Sequence, residues 1–500
     1  MYIRRVTVEN VKSFQGKHVF NLHPGVNFFV GDNNSGKSTV LEALLFLFEG
    51  PSKTSGAPDT FYNSSADGPT RVEVDIAGDV DELVQQEKFN SLKDFVFNDG
   101  GERILRLDRS SEDRIVTQGK KEKRVDVKAV CFWNPDTLQF ENRTGIDARV
   151  KAIFDFEAVW ADSHPSDHID FSSSKTLGRL IGAKFEEFAK TDKWKSLQAA
   201  HEKAFGFEEE GSFTSEVEEL ANSLKGLVDE QYGVASYRFD FGLPDAGVFM
   251  KQGSLHVNDG AGETPIDGKG TGMQRAVALG FIQLYARSAA ALEGARKPLI
   301  LMLDEPETWL HPTAQLRLGD AVSRIGENEQ VFIVTHSPYL IRKFKADSHL
   351  LTVLSGKGEG RTISSSTNFG LFGPGEPTWG EINYRAFGVC SNDFHNELYG
   401  HIQRYLDTSN GDGNEANTGS VDTFLFNKGV PKNRKWIRMP SFKSQDVTLP
   451  IFIRHTIHHP ENNANASVTE EELANSTHLL VKVVEEIGLI EEESTADSAA

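Results

Sequence analysis

The sequence predicts an α/β domain followed by a helical C-terminal part, and three observations lead to this division. An apolar run at 26–30 ends at a glycine-rich loop, and a strongly apolar helical segment at 39–48 follows that loop. Apolar runs at 298–303 and 330–335 alternate with helical patterns, as the buried strands of an α/β sheet do. After a stretch rich in Ser, Gly and Pro at 364–377, the pattern becomes mainly helical.

Length and charge limit the classes of protein to consider. A chain of 500 residues is too long for a single hydrophobic core, so we expect two or three domains. The formal net charge of -20 argues against a generally cationic nucleic-acid-binding protein. Contact with nucleic acid would depend on local basic stretches such as 120–128 and 428–443, and such stretches are more often simply solvated faces.

The cysteines and the apolar runs indicate a cytoplasmic protein. Cys131 and Cys390 are far apart in sequence and form neither a disulfide framework nor a zinc spacing. Residues 1–10 alternate between polar and apolar types, which is unlike a signal peptide. The apolar run at 41–48 is too short to span a bilayer, so we expect no membrane contact.

The remaining elements follow from periodicity in order along the chain. Residues 3–11 alternate between apolar and charged positions as a strand does. Further strands are predicted at 72–80, 103–107, 125–132 and 154–161. The charged, mostly helical segment 177–233 has no sustained heptads, which favours a short helical arm over a long coiled coil. Helices are predicted at 276–291 and 313–325, and a disordered acidic tail at 491–500.

The glycine-rich loop Gly31-Asp32-Asn33-Asn34-Ser35-Gly36-Lys37-Ser38 matches the phosphate-binding pattern G-x-x-x-x-G-K-S in full. The glycines let successive backbone N–H groups point at phosphate oxygens, Lys37 supplies a positive charge, and the helix that follows adds its N-terminal dipole. We expect ATP here, with the Ser38 hydroxyl as a ligand of Mg²⁺. The predicted nucleotide-binding residues are Gly31, Asn33, Asn34, Ser35, Gly36, Lys37, Ser38 and Thr39.

Two further segments supply the groups that hydrolysis requires. The apolar strand at 299–303 is followed by Asp304 and Glu305. We expect Asp304 to hold magnesium and Glu305 to act as general base towards the attacking water. His336 follows the next strand and could contact the γ-phosphate. Gly268 to Arg275 begins an apolar helix, and Thr271, Gly272 and Gln274 could form an anion site there.

Together these segments resemble the ABC-type ATPases of the RecF, SMC and OLD group. The similar segments are VENVKSF (8–14), VGDNNSGKST (30–39), DEPETWLHP (304–312) and THSP (335–338), and the resemblance covers roughly residues 1–355. It implies that two heads sandwich two ATP molecules in a homodimer or a higher even oligomer, with Thr271, Gly272 and Gln274 as the signature motif supplied in trans. Leu310-His311-Pro312 would then lie near the dimer interface. The motif departs from the Leu-Ser-Gly-Gly-Gln form of the group.

The predicted domain organisation follows from these segments. It comprises an N-terminal lobe of the ATPase head at 1–174, a helical arm at 175–235, a C-terminal lobe at 236–363, an all-α effector domain at 364–490 and the tail at 491–500. OLD nucleases carry a C-terminal TOPRIM domain, but its glutamate and Asp-x-Asp pattern is not found after 351.

The C-terminal part contains a candidate nuclease motif. Arg454-His455-x-x-x-His459 resembles the Arg-polar-x-x-x-His motif of HEPN ribonucleases, in which no metal takes part. Histidine can move the proton of a 2′-hydroxyl or protonate the leaving oxygen, and Arg454 can stabilise the charge on the phosphate. The five-residue spacing corresponds to a rotation of about 500° along one helix, so the two side chains point in different directions. A helix break or a partner subunit would have to bring them together. A helix end rich in histidine is the plainer interpretation, and a zinc cluster of His455, His458 and His459 is disfavoured.

These expectations give one main functional hypothesis and two others. The first is an ATPase of a phage-defence system that controls a HEPN-like endoribonuclease acting on RNA, such as tRNA, after a DNA or phage-protein trigger. The second is a sensor or scaffold ATPase that binds a separate effector or inhibitor protein. The third is a DNA-repair ATPase of the RecF or SMC type.

Overall fold

A computed structural model describes the chain except residues 52–67, 119–120, 144, 163–170, 172–175, 207–210, 233–235, 243–248, 250–251, 261, 291–296, 309, 368–370, 373–375, 410–414, 440–441 and 500. Most of the predicted loop at 50–67 therefore lies outside the described residues, and so does Trp309 of the DEPETWLHP segment. Two compact units divide the chain, one formed by Met1–Ala161 with Ala295–Ala500 and the other by Asp162–Gly294.

The described strands are, in chain order, β1 (Tyr2–Glu9), β2 (Lys17–Asn21), β3 (Val26–Gly31), β4 (Arg71–Ala77), β5 (Val96–Asp99), β6 (Glu102–Ser110), β7 (Arg114–Gln118), β8 (Lys121–Val125), β9 (Cys131–Asn134), β10 (Gln139–Glu141), β11 (Asp155–Val159), β12 (His256–Asn258), β13 (Glu263–Pro265), β14 (Leu299–Asp304), β15 (Gln330–Val334), β16 (His349–Ser355), β17 (Thr362–Ser366), β18 (Arg434–Trp436) and β19 (Gln445–Val447).

The described α-helices are α1 (Lys37–Glu49) and, by their ranges, Val80–Gln85, Ile146–Val150, Thr176–Phe188, Asp192–Phe205, Phe213–Glu216, Glu218–Tyr232, Thr271–Ala290, Pro312–Ile325, Pro338–Ile341, Trp379–Phe387, Asn392–Ser409, Thr418–Asn427, Leu449–His458 and Glu470–Ala499. Within the residues that the structure describes, none of these helices is long and apolar enough to cross a membrane.

An antiparallel sheet forms one layer of the larger unit. Its strand order is β10-β9-β6-β4-β1-β2, and β5 pairs with β6. Val6 of β1 lies opposite Phe20 of β2 on one side and Val74 of β4 on the other. In β1 the apolar Ile3, Val6 and Val8 are buried and the charged residues are half-buried, which agrees with the alternating sequence pattern. In β4 and β6, by contrast, the charged Asp75, Asp108 and Arg109 are also buried.

A mainly parallel sheet forms the second layer and positions the candidate site. Its order is β11-β14-β15-β3-β16-β17, in which only the β16–β17 pair is antiparallel. Strand β3 lies between β15 and β16, and β14 lies beside β15. Because the carboxyl ends of neighbouring parallel strands meet at one edge, the loops after β3, β14 and β15 come together there.

Helix α1 joins the two layers. It packs against strands of both sheets, and most of its side chains are buried. Val40, Leu44 and Phe48 belong to one hydrophobic core with residues of both sheets, among them Phe20 and Phe332. This burial explains why the helix is apolar around most of its circumference.

The smaller unit contains the predicted arm and the predicted signature segment. It holds the helices between Thr176 and Tyr232, the short hairpin β12–β13 and the helix Thr271–Ala290. A small core there buries Leu177, Ile266 and Ala278.

The C-terminal part of the larger unit has its own hydrophobic core, to which Phe394, Leu398, Phe452 and Leu480 contribute. It is not all-α as predicted, because β18 and β19 pair as a two-stranded antiparallel sheet. The predicted boundary at 364 falls within β17, so the sheet of the head continues to Ser366. The final helix Glu470–Ala499 also includes 491–499, where we expected disorder.

Several strand predictions need correction. The segment 72–80 is β4 only as far as Ala77, and Val80 begins a helix. The segment 125–132 is broken, since β8 ends at Val125 and β9 begins at Cys131. Between them Ala129 donates a backbone hydrogen bond to Asp126, which closes a turn that alternation alone does not reveal.

Candidate functional site

The phosphate-binding loop joins β3 to α1, and its backbone adopts conformations that favour small residues. Gly31 and Gly36 have φ angles of 121° and 100°, and Asn34 has a φ of 62°. A Cβ atom on Gly31 would lie 2.0 Å from the carbonyl oxygen of Leu354, and one on Gly36 would lie 2.8 Å from the ring of Phe14. The local geometry therefore requires glycine at both positions.

The Lys37 side chain folds back over the same loop. Its Nζ donates hydrogen bonds to the carbonyl oxygens of Gly31 at 3.2 Å and Asp32 at 2.7 Å. Burial lowers the pKa of Lys37, while the nearby carboxylates of Glu305, Asp304 and Asp32 oppose that change. These carboxylates favour the charged ammonium, which is the form that neutralises phosphate oxygens.

The remaining predicted loop residues divide between surface and interior. Asn33 and Asn34 are exposed, whereas Thr39 is buried. Ser35 is also buried, and its Oγ has no hydrogen-bond partner among the described residues.

Ser38 at the start of α1 and Asp304 at the end of β14 lie in contact. The Ser38 Oγ donates a 2.8 Å hydrogen bond to Oδ1 of Asp304. Burial raises the pKa of Asp304, and the hydrogen bond from Ser38 partly offsets this. Both side chains present the oxygen atoms that Mg²⁺ prefers, so these two residues fit the predicted magnesium site. A magnesium ion held there would neutralise charge on the phosphate oxygens.

Glu305 and His336 lie side by side at the carboxyl ends of β14 and β15. His336 Nε2 is 3.9 Å from Glu305 Oε1, and the two side chains are 36% and 42% exposed. Burial, followed by the charge of Lys37, lowers the pKa of His336, so the neutral imidazole is favoured near pH 7. Glu305 has a φ of 46°, an uncommon backbone conformation for a residue with a side chain. A half-exposed carboxylate beside a neutral histidine can accept a proton from a water molecule and orient it.

The predicted signature residues have a different arrangement from the one expected. Thr271 is exposed and Gly272 is half-buried at the start of their helix. Gln274 is buried instead, and its Nε2 donates hydrogen bonds to the carbonyl oxygens of Asp267 at 3.2 Å and Lys269 at 2.8 Å. The Gln274 side chain thus holds the turn that precedes the helix and does not project from it.

Glu307 is a site residue that sequence reasoning missed. Its Oε1 accepts hydrogen bonds from Thr335 Oγ1 at 2.8 Å and from the backbone N–H of His336 at 2.7 Å. Burial raises the pKa of Glu307. The third acidic residue of the Asp304-Glu305-Pro306-Glu307 segment was the signal that could have pointed to it.

Arg361 is a second missed residue, and it lies beside the loop on the other side of β3. A turn that carries it is held to the loop by the backbone N–H of Gly356, which donates to Asp32 Oδ2 at 2.9 Å. The Arg361 guanidinium lies 4.2 Å from the centroid of the Phe14 ring, which packs against Gly36. Its three nitrogens are buried, and none has a hydrogen-bond partner in the described part of the chain.

Among the residues that the structure describes, Arg454 and His459 have no common hydrogen-bond or ring partner within one chain. The Arg454 guanidinium lies 4.9 Å from the ring centroid of Tyr399. His459 follows the end of the helix Leu449–His458, is half-exposed, and lies 3.4 Å from Glu461 Oε1 and 6.3 Å from the Trp436 ring. The two predicted catalytic residues thus have separate surroundings.

Two other observations describe the histidines of this part. His395 is fully buried, and its Nε2 lies 2.9 Å from Ser476 Oγ. Burial, and to a lesser extent the charge of Arg454, lowers its pKa to about 4. Among the described residues there is no cluster of three or more histidine, cysteine or acidic side chains that could hold a metal ion, so His455 and its neighbours form no such group.

Comparison with known proteins places the site in a family. The family model described as "AAA domain, putative AbiEii toxin, Type IV TA system" matches residues 26–342. The DNA replication and repair protein RecF of Colwellia psychrerythraea is 46% identical over 52 residues, which are 10% of this chain and 14% of that protein. The chromosome condensation protein dpy-27 of Caenorhabditis elegans is 47% identical over 49 residues, which are 10% of this chain and 3% of that protein.

These two alignments thus cover only a small fraction of the length of either relative. Among solved structures, the Smc head bound to the C-winged helix domain of ScpA is 15% identical with a TM-score of 0.42. That alignment covers 73% of this chain and 98% of the Smc head chain.

Proposed function

The chain belongs to the AAA-domain family of P-loop ATPases whose model it matches, and from this premise we propose that it is an ATP-hydrolysing switch of a phage-defence system. The observation that carries the proposal is the meeting of Lys37, Ser38, Asp304, Glu305 and His336 at one edge of the parallel sheet. The toxin named in the description of the family agrees with a defence role.

Hydrolysis in this proposal uses the groups of the head in distinct roles. Lys37 and the loop N–H groups bind the phosphates, and Ser38 and Asp304 hold magnesium. Glu305 takes a proton from the attacking water, and His336 contacts the γ-phosphate. Thr271 and Gly272 of a second subunit complete the site, so ATP holds two heads together and its hydrolysis releases them.

The path from the site to the C-terminal part is short, which supports a switch. The segment that carries His336 continues directly into the helix Pro338–Ile341. In that helix the Tyr339 ring lies 5.0 Å from the Trp379 ring of the C-terminal part. Close by, Lys343 Nζ lies 3.3 Å from Glu376 Oε1. A movement of His336 with the nucleotide would therefore reach the C-terminal part through packed side chains.

We propose a ribonuclease as the output of the switch. His459 is half-exposed at a helix end beside Trp436, which lies in the hairpin next to the exposed Lys435. This surface could accept the phosphates of RNA through Lys435 and His459, whereas the Trp436 ring is buried and stacks on His455. Because Arg454 contacts Tyr399 elsewhere, the proposal needs two copies of the domain, each supplying one of the two residues to a composite site.

The test uses the full-length protein incubated with ATP, Mg²⁺ and total cellular RNA, after which EDTA is added and RNA ends are sequenced. Wild-type cleavage that continues after EDTA is added supports a metal-independent ribonuclease. Loss of cleavage in His459→Ala and Arg454→Ala, although both variants still hydrolyse ATP in Mg²⁺, supports the assignment of its active site. RNA that stays intact under every nucleotide condition contradicts it.

Two alternatives predict other outcomes of the same preparation. A sensor that binds a separate effector hydrolyses ATP, leaves RNA intact and is harmless when expressed alone. A DNA-repair ATPase is stimulated by DNA ends and leaves RNA intact. Toxicity of the chain expressed alone, lost with His459→Ala, argues against both alternatives.

A further inference from the structure

Two loops at the end of the parallel sheet are tied together by side chains. One loop follows β14 and carries Glu305 and Glu307, and the other follows β15 and carries His336. Glu307 Oε1 is 2.8 Å from Thr335 Oγ1 and 2.7 Å from the backbone nitrogen of His336, so one carboxylate oxygen accepts from both donors. A second link runs from Ser337 Oγ to Gln315 Oε1 at 2.5 Å, and Gln315 Nε2 donates to the carbonyl oxygen of Leu310 at 2.8 Å.

The loop that carries Glu305 is also held from within. The backbone N–H of Thr308 donates to the carbonyl oxygen of Glu305 at 3.1 Å, and the Thr308 Oγ1 donates to the same oxygen at 2.9 Å. Glu305 N–H donates to Val334 at 2.8 Å, at the end of the neighbouring strand. Both the base and the histidine therefore have backbones fixed by hydrogen bonds, and Glu307 supplies the bond that fixes the histidine to the loop of the base.

We propose that Glu307 is a positioning residue for ATP hydrolysis, which acts by holding the backbone of His336 beside Glu305. The inference rests on the proposed function, because it assumes that Glu305 and His336 act on the attacking water and the γ-phosphate. Without the Glu307 acceptor, the N–H of His336 loses its partner and the 3.9 Å spacing between His336 and Glu305 is no longer maintained.

The effect falls on turnover and leaves ATP binding in place. Lys37 and Ser38 bind from the loop after β3, and Glu307 makes none of their hydrogen bonds. Loss of Glu307 therefore lowers kcat while the Kd for ATP stays near the wild-type value. The acceptor oxygen is what matters in this proposal, so glutamine, which keeps that oxygen, restores function.

The test compares Glu307→Ala, Glu307→Gln and Glu327→Ala for kcat and for ATP affinity measured by calorimetry. Glu327 is exposed on a turn of the same unit and serves as the control for loss of a carboxylate. We expect kcat to fall about tenfold or more in Glu307→Ala, as loss of orientation does, with ATP affinity unchanged. Glu307→Gln and Glu327→Ala should remain close to wild type.

Three outcomes overturn the proposal. These are a normal kcat in Glu307→Ala, an equal loss in Glu307→Gln, and a loss of ATP affinity as large as that of Lys37→Ala. Should Glu307→Ala fail to fold, Thr335→Val tests the same hydrogen-bonded link with a side chain of similar shape, and it should also lower kcat at unchanged affinity. Absence of ATP hydrolysis in the wild-type protein would instead contradict the proposed function itself.

Discussion

The hydroxyl of Ser38 donates a 2.8 Å hydrogen bond to the carboxylate of Asp304, a residue 266 positions away in the sequence. The bond joins the start of α1 to the end of β14, so the two predicted magnesium ligands share one position at the sheet edge. Burial raises the pKa of Asp304, which makes its charged form dependent on a nearby donor or cation.

Ser38→Ala should raise the magnesium concentration required for ATP hydrolysis. The variant removes one oxygen ligand and the hydrogen bond that favours the charged Asp304. We expect the half-maximal magnesium concentration to rise about tenfold, as for loss of a partner in a metal site. Magnesium titrations of the ATPase rate measure this, with Ser196→Ala on the exposed face of another helix as control. An unchanged titration would remove Ser38 from the metal site.

Glu305→Gln should separate ATP binding from ATP hydrolysis. The amide cannot accept the proton of water, so we expect the rate to fall by about 100-fold or more. Because Lys37 and the loop are intact, the variant should retain ATP and accumulate as a dimer in size-exclusion chromatography with light scattering. Lys37→Ala should lose ATP binding and stay monomeric. Normal hydrolysis by Glu305→Gln would show that the general base is another group.

Arg361→Ala should weaken ATP binding. The three guanidinium nitrogens have no hydrogen-bond partner among the described residues, and the group lies against Phe14 at the edge of the loop. A nucleotide phosphate or ribose oxygen would be a suitable acceptor. Loss of one charge-assisted hydrogen bond corresponds to roughly a tenfold rise in Kd, measurable by calorimetry. Arg103→Ala, which breaks the exposed ion pair with Asp81, serves as control, and an equal Kd in both variants would contradict the expectation.

Glu381→Gln should stabilise the protein at high pH and leave it unchanged at low pH. Burial raises the pKa of Glu381 to about 7, above its usual value of 4.5, so the fold favours its neutral form. That contribution to stability is complete below pH 4.5 and is lost as the pH rises through 7. Glutamine imitates the neutral acid and keeps the acceptor for the Leu371 N–H.

The expected gain for this variant is on the order of 3 kcal/mol at pH 8. Chemical unfolding at pH 4.5 and pH 8 measures the difference between the variant and the wild type. A difference of equal size at both pH values would mean that titration of Glu381 is not its cause.

The sequence predicted the parts of the site that depend on local pattern. The strand, the glycine loop and α1 are contiguous, and Asp304 and His336 each follow an apolar strand. Because parallel strands end at one edge, the approach of these groups could be expected from the sequence. This argument could not identify Glu307 and Arg361 as residues of the site. Glu307 bonds across 28 positions to Thr335, and Arg361 reaches Phe14 from the far end of the sheet.

The C-terminal prediction shows where sequence spacing is insufficient. The helix Leu449–His458 was expected, and so was the difficulty of placing Arg454 and His459 together. Sequence spacing could not show that Arg454 packs against the Tyr399 ring or that His459 lies near Trp436, because both aromatic residues come from other elements. It also gave no sign that β18 and β19 interrupt the helices.

The backbone of Glu305 has a φ of 46°, a conformation that lowers the stability of the fold but places the carboxylate at the site. The left-handed region costs a residue with a Cβ atom about 1 kcal/mol relative to the right-handed region, and glycine does not bear that cost. A sequence selected for stability alone would favour glycine or asparagine at this position. Glutamate there indicates a trade-off, in which the head accepts a less stable loop in return for an acidic group beside His336.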